Sequence, residues 1–488
     1  MKKIYLYAIS LFLLTGCEDF LSKVPDIGKN EPIQKIAQLE GLINSATANA
    51  QETNSFEVYG SDDCGLTADL YKNYQGNFDM AYCYILTHFM EGVAAQASDA
   101  YWSGLYKSIY TANLIIANAD KVEGDEATKQ RVKADAHFLR AYNYWLLVNY
   151  YALPYSTANL DKPGVPLKKT PGFSESLKRA SIREVYAFIE EDLKEAEKVE
   201  ITNVDPKLPW RASKAAVAAF RSRYALFMGK YADVLTYAEA ALGKGPELKD
   251  FNTFVAGQPK SYQNPEVTLE YCETNDQAAS TFLYWPEFYY TRYTYIGSQW
   301  RLPSESLIQA YDKDNDLRFK WFFVEHGDRR FSVNANAYRY AVFNDGRYVI
   351  AGLTLAEVLL NKAEAQVRTG AWQQGMITLN LLREKRMKTG TTPLSATSQK
   401  DALEKVLAER RREFPFVMRL LDIRRYAVNE TPEDDVTLTF NFWETSLGKI
   451  DVTKPKTYTI PVGSSYYAWP INGIEVDASK GEIEQNTY

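Results

Sequence analysis

Two segments 141 residues apart constrain the fold of this chain more than any other feature. Residues 229–242 read GKYADVLTYAEAAL, and residues 370–383 read GAWQQGMITLNLLR. In register, Gly229 falls on Gly370, Tyr231 on Trp372, Tyr237 on Thr378 and Leu242 on Arg383. Apolar residues at helical spacing precede each segment, over 212–228 and 353–369. The unit is a helix, a glycine-containing turn and an aromatic-led second helix. Glycine lets the backbone turn, and small residues let the paired helices approach. A hairpin of this kind cannot bury its apolar face alone, so it needs others stacked on it. Two unrelated helical hairpins are the plainer alternative.

The first copy closely follows the second helix of a tetratricopeptide repeat, and the second copy is degenerate. Further helices are expected upstream. Over 101–119, Trp102, Leu105, Tyr106, Ile109, Tyr110, Asn113 and Ile116 line one face. Over 127–150, Phe138, Leu139, Tyr142, Trp145 and Leu146 do the same. On such stripes Trp102 and Trp145 belong to the core. Pro154, Pro163, Pro166 and Pro171 then force a loop. A helix over 181–198 opens with a capping box, Ser181 followed by Glu184. Residues 246–350 have no clean helical period and are rich in aromatics, and the tail after Thr431 reads as irregular. The fold class is therefore mainly α, with helical hairpins carrying a loop-rich, aromatic-rich half.

The N-terminus bears on the compartment. Met1-Lys2-Lys3 is followed by Ile4 to Leu14 without a charge, too short for a bilayer span of ~20 residues but suited to a secretory signal. Leu14-Thr15-Gly16-Cys17 resembles a lipobox, which would make 1–16 a removed signal, Cys17 the lipidated residue and 17–38 a tether. An ordinary signal peptide with a chance cysteine is the alternative. Cys64, Cys83 and Cys272 are an odd set without CxxC; a Cys64–Cys83 bridge and buried free thiols both stay open.

Charge and motifs narrow the chemistry. A net charge of −6 argues against nucleic acid, and three histidines, His88, His137 and His326, argue against a His-rich metal centre. Neither a cofactor nor a metal is expected. There is no GxSxG, HExxH, P-loop or GxGxxG. Asp312, Asp314 and Asp316 start like a calcium loop, but Leu317 and Phe323 stand where glycine and glutamate are needed. Glu190-Glu191-Asp192 reads as a solvated helix face. Glu357 and Glu364 share a face, where pairing with arginines such as Arg383 or Arg386 is expected over catalysis. Glu409 to Glu413 and Asp422 to Arg425 read as a structural ion network near a helix end.

These segments together resemble the SusD/RagB family of Bacteroidota outer-membrane lipoproteins. The resemblance rests on Cys17-Glu-Asp-Phe-Leu to Pro25, Trp102 to Asn113, Arg131 to Arg140-Ala-Tyr142 with Leu153-Pro154-Tyr155, and Arg211-Ala-Ser-Lys214. It continues in Leu355-Ala-Glu357 to Glu364-Ala, Glu409-Arg-Arg-Arg-Glu413 with Leu421-Asp422-Ile-Arg-Arg425, Trp469-Pro470-Ile471 and Gln485-Asn486-Thr-Tyr488. Two departures touch packing: Phe416-Val-Met-Arg419 lacks the usual glutamate and glycine, and Asn472 replaces a common proline. The resemblance implies about four tetratricopeptide-like hairpins. It implies a lipid-anchored protein of the outer membrane, facing outward. It further implies a lid that captures oligosaccharide and hands it to a SusC-like TonB-dependent transporter, without catalysis.

On that reading residues 39–488 form a single domain, with repeats over about 39–245 and 353–430 and a ligand-side insertion over about 246–350. A pyranose has an apolar C–H face and a hydroxyl rim, which suits aromatic planes beside amides and carboxylates. The candidates are Tyr71 and Tyr74 from one aromatic loop region, and Trp285, Tyr289, Tyr290 and Trp300 from the other. Asp62, Asp69 and Asn73 are the candidate hydroxyl partners. Capture of a peptide or other nutrient, and a glycoside hydrolase, are the rival readings.

Overall fold

The computed structural model describes residues 32–45, 49–52, 60–65, 100–172, 174–254, 260–261, 268–269, 283–295, 302–325, 338–340, 348–446 and 449–488. Its helices, in chain order, are α1 (Ile36–Ile43), α2 (Ala100–Asn118), α3 (Glu126–Tyr151), α4 (Ile182–Ala196), α5 (Lys214–Phe227) and α6 (Tyr231–Ala241). Then come α7 (Glu305–Gln309), α8 (Leu317–Phe322), α9 (Leu355–Arg368), α10 (Trp372–Arg383), α11 (Gln399–Glu413), α12 (Arg419–Tyr426) and α13 (Gly473–Ala478). None of these helices is long and apolar enough to cross a membrane.

Local chemistry sets the helix starts. Asp125 caps α3 by accepting from Thr128 N at 2.8 Å. Ser181 and Glu184 form the expected reciprocal box at the start of α4. From Ala134 to Tyr151 all of α3 except His137 is buried, so this helix is wrapped by others. It packs against α2, α4 and α1.

The repeat stands as a pair of hairpins, α5–α6 and α9–α10, with Gly229 at φ 69° and Gly370 at φ 93° in the turns. Only glycine takes such backbone angles without strain. The hairpins stack, α6 on α9, and α11 packs on both α9 and α10. Gly375 on α10 faces α9 so closely that a Cβ would meet Val367 Cγ2 at 2.6 Å and the Ala363 carbonyl at 3.0 Å.

One continuous buried cluster runs from Cys64 to Ile483. Its centre is aromatic: Phe138 and Tyr142 of α3 meet Phe220 of α5 and Tyr290, with the Phe138–Tyr290 rings 4.8 Å apart. A second cluster joins α1 to α2 and α3 through Leu39, Ile115 and Leu139.

Three expectations from sequence change here. The tail after Thr431 is not irregular: strands Leu438–Ser446 and Lys449–Ile460 form an antiparallel hairpin. Leu438 and Phe440 face inward, while Thr439 and Asn441 face solvent. A register shift at Trp443/Glu444 and the presence of Pro455 break the alternation that would have announced it. Asp192 is not on a solvated face; it is 1% exposed and takes Arg140 and His137, whereas Glu191 is exposed. Glu357 and Glu364 do pair with arginines, but with Arg223 for the first and Arg368 and Arg425 for the second. Arg383 goes instead to Glu409, and Arg386 to Glu287 and Glu413.

Candidate ligand-binding site

Two short segments far apart in sequence meet beside the α11–α12 connection. Gly65 N donates to the Leu302 carbonyl at 2.8 Å, and Ser304 N donates to the Asp63 carbonyl at 2.7 Å. The Ser304 hydroxyl adds a hydrogen bond to the Asp62 carbonyl at 2.6 Å. The approach requires a glycine, because a Cβ on Gly65 would lie 2.8 Å from Ser304 Cα.

Ion pairs fasten this junction to the helices. The Asp62 carboxylate takes Arg419 Nε and Nη2 at 2.7 and 2.8 Å. Asp63 accepts from Arg411 Nε at 2.7 Å and from Phe416 N at 2.9 Å. Burial pushes the Asp62 carboxyl up, but the Arg419 hydrogen bonds and charge, aided by Arg411, hold it below its ordinary range. For Asp63, which is fully buried, burial wins and the carboxyl is raised. Phe416 itself sits at φ 67°, a left-handed conformation that costs a bulky residue about 1–3 kcal/mol and persists only when surroundings impose it. The hydrogen bond from its N–H to Asp63 is one such constraint. Cys64, next in sequence, is buried, and burial pushes its thiol up.

The second aromatic stretch lies elsewhere. Trp285 is buried against Phe251 and Phe254. Tyr289 has no exposed surface and donates its hydroxyl to the Ala241 carbonyl at 3.0 Å. Tyr290 packs against Phe138 and Tyr142, and burial pushes its phenol up to about 12. The reason is architectural: strand Phe288–Tyr290 pairs with Leu353–Thr354 and is covered by α5. These three rings are core residues, which corrects the expectation that they meet ligand. Tyr284 of that stretch is exposed at the surface, 47%, with its ring 6.1 Å from the Trp210 ring. Asp62 is corrected as well, because its carboxylate is spent on Arg419 and Arg411 rather than free for hydroxyls. Tyr71, Tyr74, Asp69, Asn73, Trp300, Cys17, Cys83 and Cys272 lie outside the described residues.

Behind the junction is a dense ionic scaffold. Glu409 accepts from Arg318 and Arg383, each at 2.6 Å, and from Arg412 at 2.7 Å. Arg410 bonds Asp422 and the Asn361 amide, and Arg425 joins Asp422 to Glu364. The expected network is thus present and larger than the sequence suggested. It drew in Arg318 and Asp316, which no local pattern links to α11. Glu357 and Glu364, the carboxylates with the spacing of a catalytic pair, are shut in with guanidinium partners. No group of His, Cys, Asp or Glu among the described residues is arranged to hold a metal ion.

Comparison with known proteins covers both ends of the chain. A SusD-like family model, described as "Starch-binding associating with outer membrane", matches residues 19–226. The SusD family model matches residues 352–488. The SusD-like protein P2 of Formosa agariphila is 28% identical in an alignment 378 positions long that covers 67% of this chain and 71% of that protein. Among solved structures, a SusD-like carbohydrate binding protein of Bacteroides vulgatus gives a TM-score of 0.61 at 21% identity, covering 92% of this chain and 97% of that one. A SusD superfamily protein of Bacteroides thetaiotaomicron gives 0.63 at 16% identity, covering 93% and 100%. A laminarin binding SusD-like protein gives 0.56 at 20% identity, covering 93% and 99%.

Proposed function

The chain belongs to the SusD/RagB family, and from that membership we propose that it captures glycan at the outer membrane without altering it chemically. In this reading Cys17 carries the lipid anchor, the protein faces outward, and it closes as a lid over a SusC-like TonB-dependent transporter. Two of the similar solved structures are described as a carbohydrate binding and a laminarin binding protein, which supports the ligand class.

The observation that carries the site is the Gly65–Leu302 junction. Trp300 is two residues from Leu302, and Asp69, Tyr71, Asn73 and Tyr74 follow Gly65 by four, six, eight and nine. A chain spans at most ~3.6 Å per residue, so Trp300 stays within about 7 Å of Leu302 and Asp69 within about 14 Å of Gly65. The described ends of the two aromatic stretches, Gly65 and Leu302, thus meet on a base held by the Arg419–Asp62 and Arg411–Asp63 ion pairs. The ligand contacts proposed are Tyr71, Tyr74 and Trp300 as ring platforms, with Asp69 and Asn73 as hydroxyl partners.

Calorimetric titration against plant, microbial and host polysaccharides tests this reading. Binding to one glycan class is expected, weakened at least tenfold in a Tyr71→Ala/Trp300→Ala variant with an unchanged melting transition. Binding that survives the double substitution would move the contacts elsewhere. Binding of peptides instead of glycans would replace the ligand class, and release of reducing ends would make the protein a hydrolase.

A further inference from the structure

A cleft of about 1130 Å³ opens on the helical side, between α11, the end of α12, the segment 428–436 and the α5–α6 turn. Its volume exceeds the ~300–1,000 Å³ usual for small-molecule pockets. Leu403, Leu407 and Val436 give it an apolar floor, and Tyr155 and Tyr231 stand half-buried at its wall.

Its charges are unbalanced in a specific way. Four arginines line the cleft, and each is engaged by carboxylates: Arg368 by Glu364 and Asp434, Arg425 by Glu364 and Asp422, Arg411 by Asp63, and Arg419 by Asp62. Glu404, Glu430, Glu433 and Asp435 also line it, and all four are exposed. Their carboxylates make no ion pair among the described residues, and the one lining lysine is Lys400. Partial burial, followed by the neighbouring Asp434, raises the Asp435 carboxyl above its ordinary value. Among the described residues the rim thus carries four unneutralised negative charges against one positive. None of them belongs to a metal-holding cluster among the described residues.

We propose that this cleft docks an extended segment of another protein in which lysine or arginine alternates with apolar side chains. The apolar side chains lie on the Leu403–Leu407 floor, and the cations meet the carboxylates at the rim. Charge complementarity of this kind steers association and weakens with salt, because exposed charges are screened over a Debye length of ~8 Å at physiological ionic strength. Arg411 and Arg419 border both this cleft and the base of the loops assigned to glycan, whereas the rim carboxylates Glu404, Glu430, Glu433 and Asp435 lie outside that base.

The test uses the full chain in polyoxyethylene detergent and a fluorescent decapeptide of alternating lysine and leucine, with detergent alone as background. Fluorescence anisotropy is expected to show saturable binding that weakens at least tenfold between 50 and 500 mM salt. A Glu433→Lys/Asp435→Lys variant should weaken it at least tenfold. A Glu191→Lys/Glu200→Lys variant, reversing equal charge on exposed residues outside the cleft, should bind within twofold of the parent. A lysine–serine decapeptide should bind at least tenfold more weakly. The proposal is overturned if neither peptide binds, if both charge-reversal variants lose binding equally, or if the lysine–serine peptide binds as well. Competition by a glycan that binds the parent protein would also overturn it, by making the cleft a glycan site.

Discussion

Glu409 and Glu52 are both fully buried carboxylates, yet protons act on them in opposite senses. Burial alone would raise Glu409, but Arg318, Arg412 and Arg383 outweigh it and hold the carboxyl far below its ordinary range. Its contribution to stability is full above the unfolded value of ~4.3 and is lost as pH falls below that toward the folded value. For Glu52 burial outweighs Arg292, 3.7 Å away, and the carboxyl is raised. Its contribution is full below the unfolded value and is lost as pH rises through the folded one. Glu409→Gln should therefore cost about 3–5 kcal/mol in urea unfolding at pH 7, since Arg383 and Arg412 lose their carboxylate partner and Arg318 loses one of three in the interior. Glu52→Gln, which removes a charge already disfavoured there, should change stability by less than ~1 kcal/mol. Below pH 4 the gap between the parent and Glu409→Gln should shrink, and a gap that stays constant would deny the pairing its role.

At the scale of elements, stability turns on close approach. Gly375→Ala would push α10 away from Val367 and Ala363 and should cost about 1–3 kcal/mol, read as a lower melting temperature with unchanged helix content. Gly370→Ala meets no neighbour within 4 Å, but φ 93° strains any other residue, and a loss of about 1–2 kcal/mol is expected. The hairpins were legible because glycine turns and 3.6-residue spacing are local signals. The ends of α2, α3, α5 and α9 fall within two residues of the ranges read from sequence. The aromatic run misled for a physical reason. Phe288, Tyr289 and Tyr290 are all buried, so the strand shows no alternation and looks like a loop rich in exposed rings. Asp192 misled in the same way, because its partner Arg140 lies 52 residues back on another helix. Of the candidate site, the sequence offered two aromatic stretches, and part of the second is core; that Gly65 and Leu302 touch depends on pairing across more than 230 residues, which no local pattern encodes.

Across the whole molecule, the loop base and the helical side are one mechanical unit. Arg419 holds Asp62, and Arg411 holds Asp63, over separations of 357 and 348 residues. Asp62 keeps 23% of its side chain in solvent, so Arg419→Met leaves no deeply buried charge stranded. It should lower the melting temperature by no more than a few degrees yet weaken glycan binding severalfold, by loosening the base from which the loops rise. Equal affinity in titration would separate the clasp from the ligand site. The same long closures govern when the fold can form. At ~5–20 residues per second, synthesis of the stretch between Asp62 and Arg419 takes on the order of 20–70 s. Asn486 must then reach back to the Tyr151 carbonyl, 335 residues upstream. For that interval the nascent chain carries buried-type carboxylates and a large aromatic core without their partners. Closures of this length slow folding, because the entropy of bringing distant segments together must be met before their contacts form.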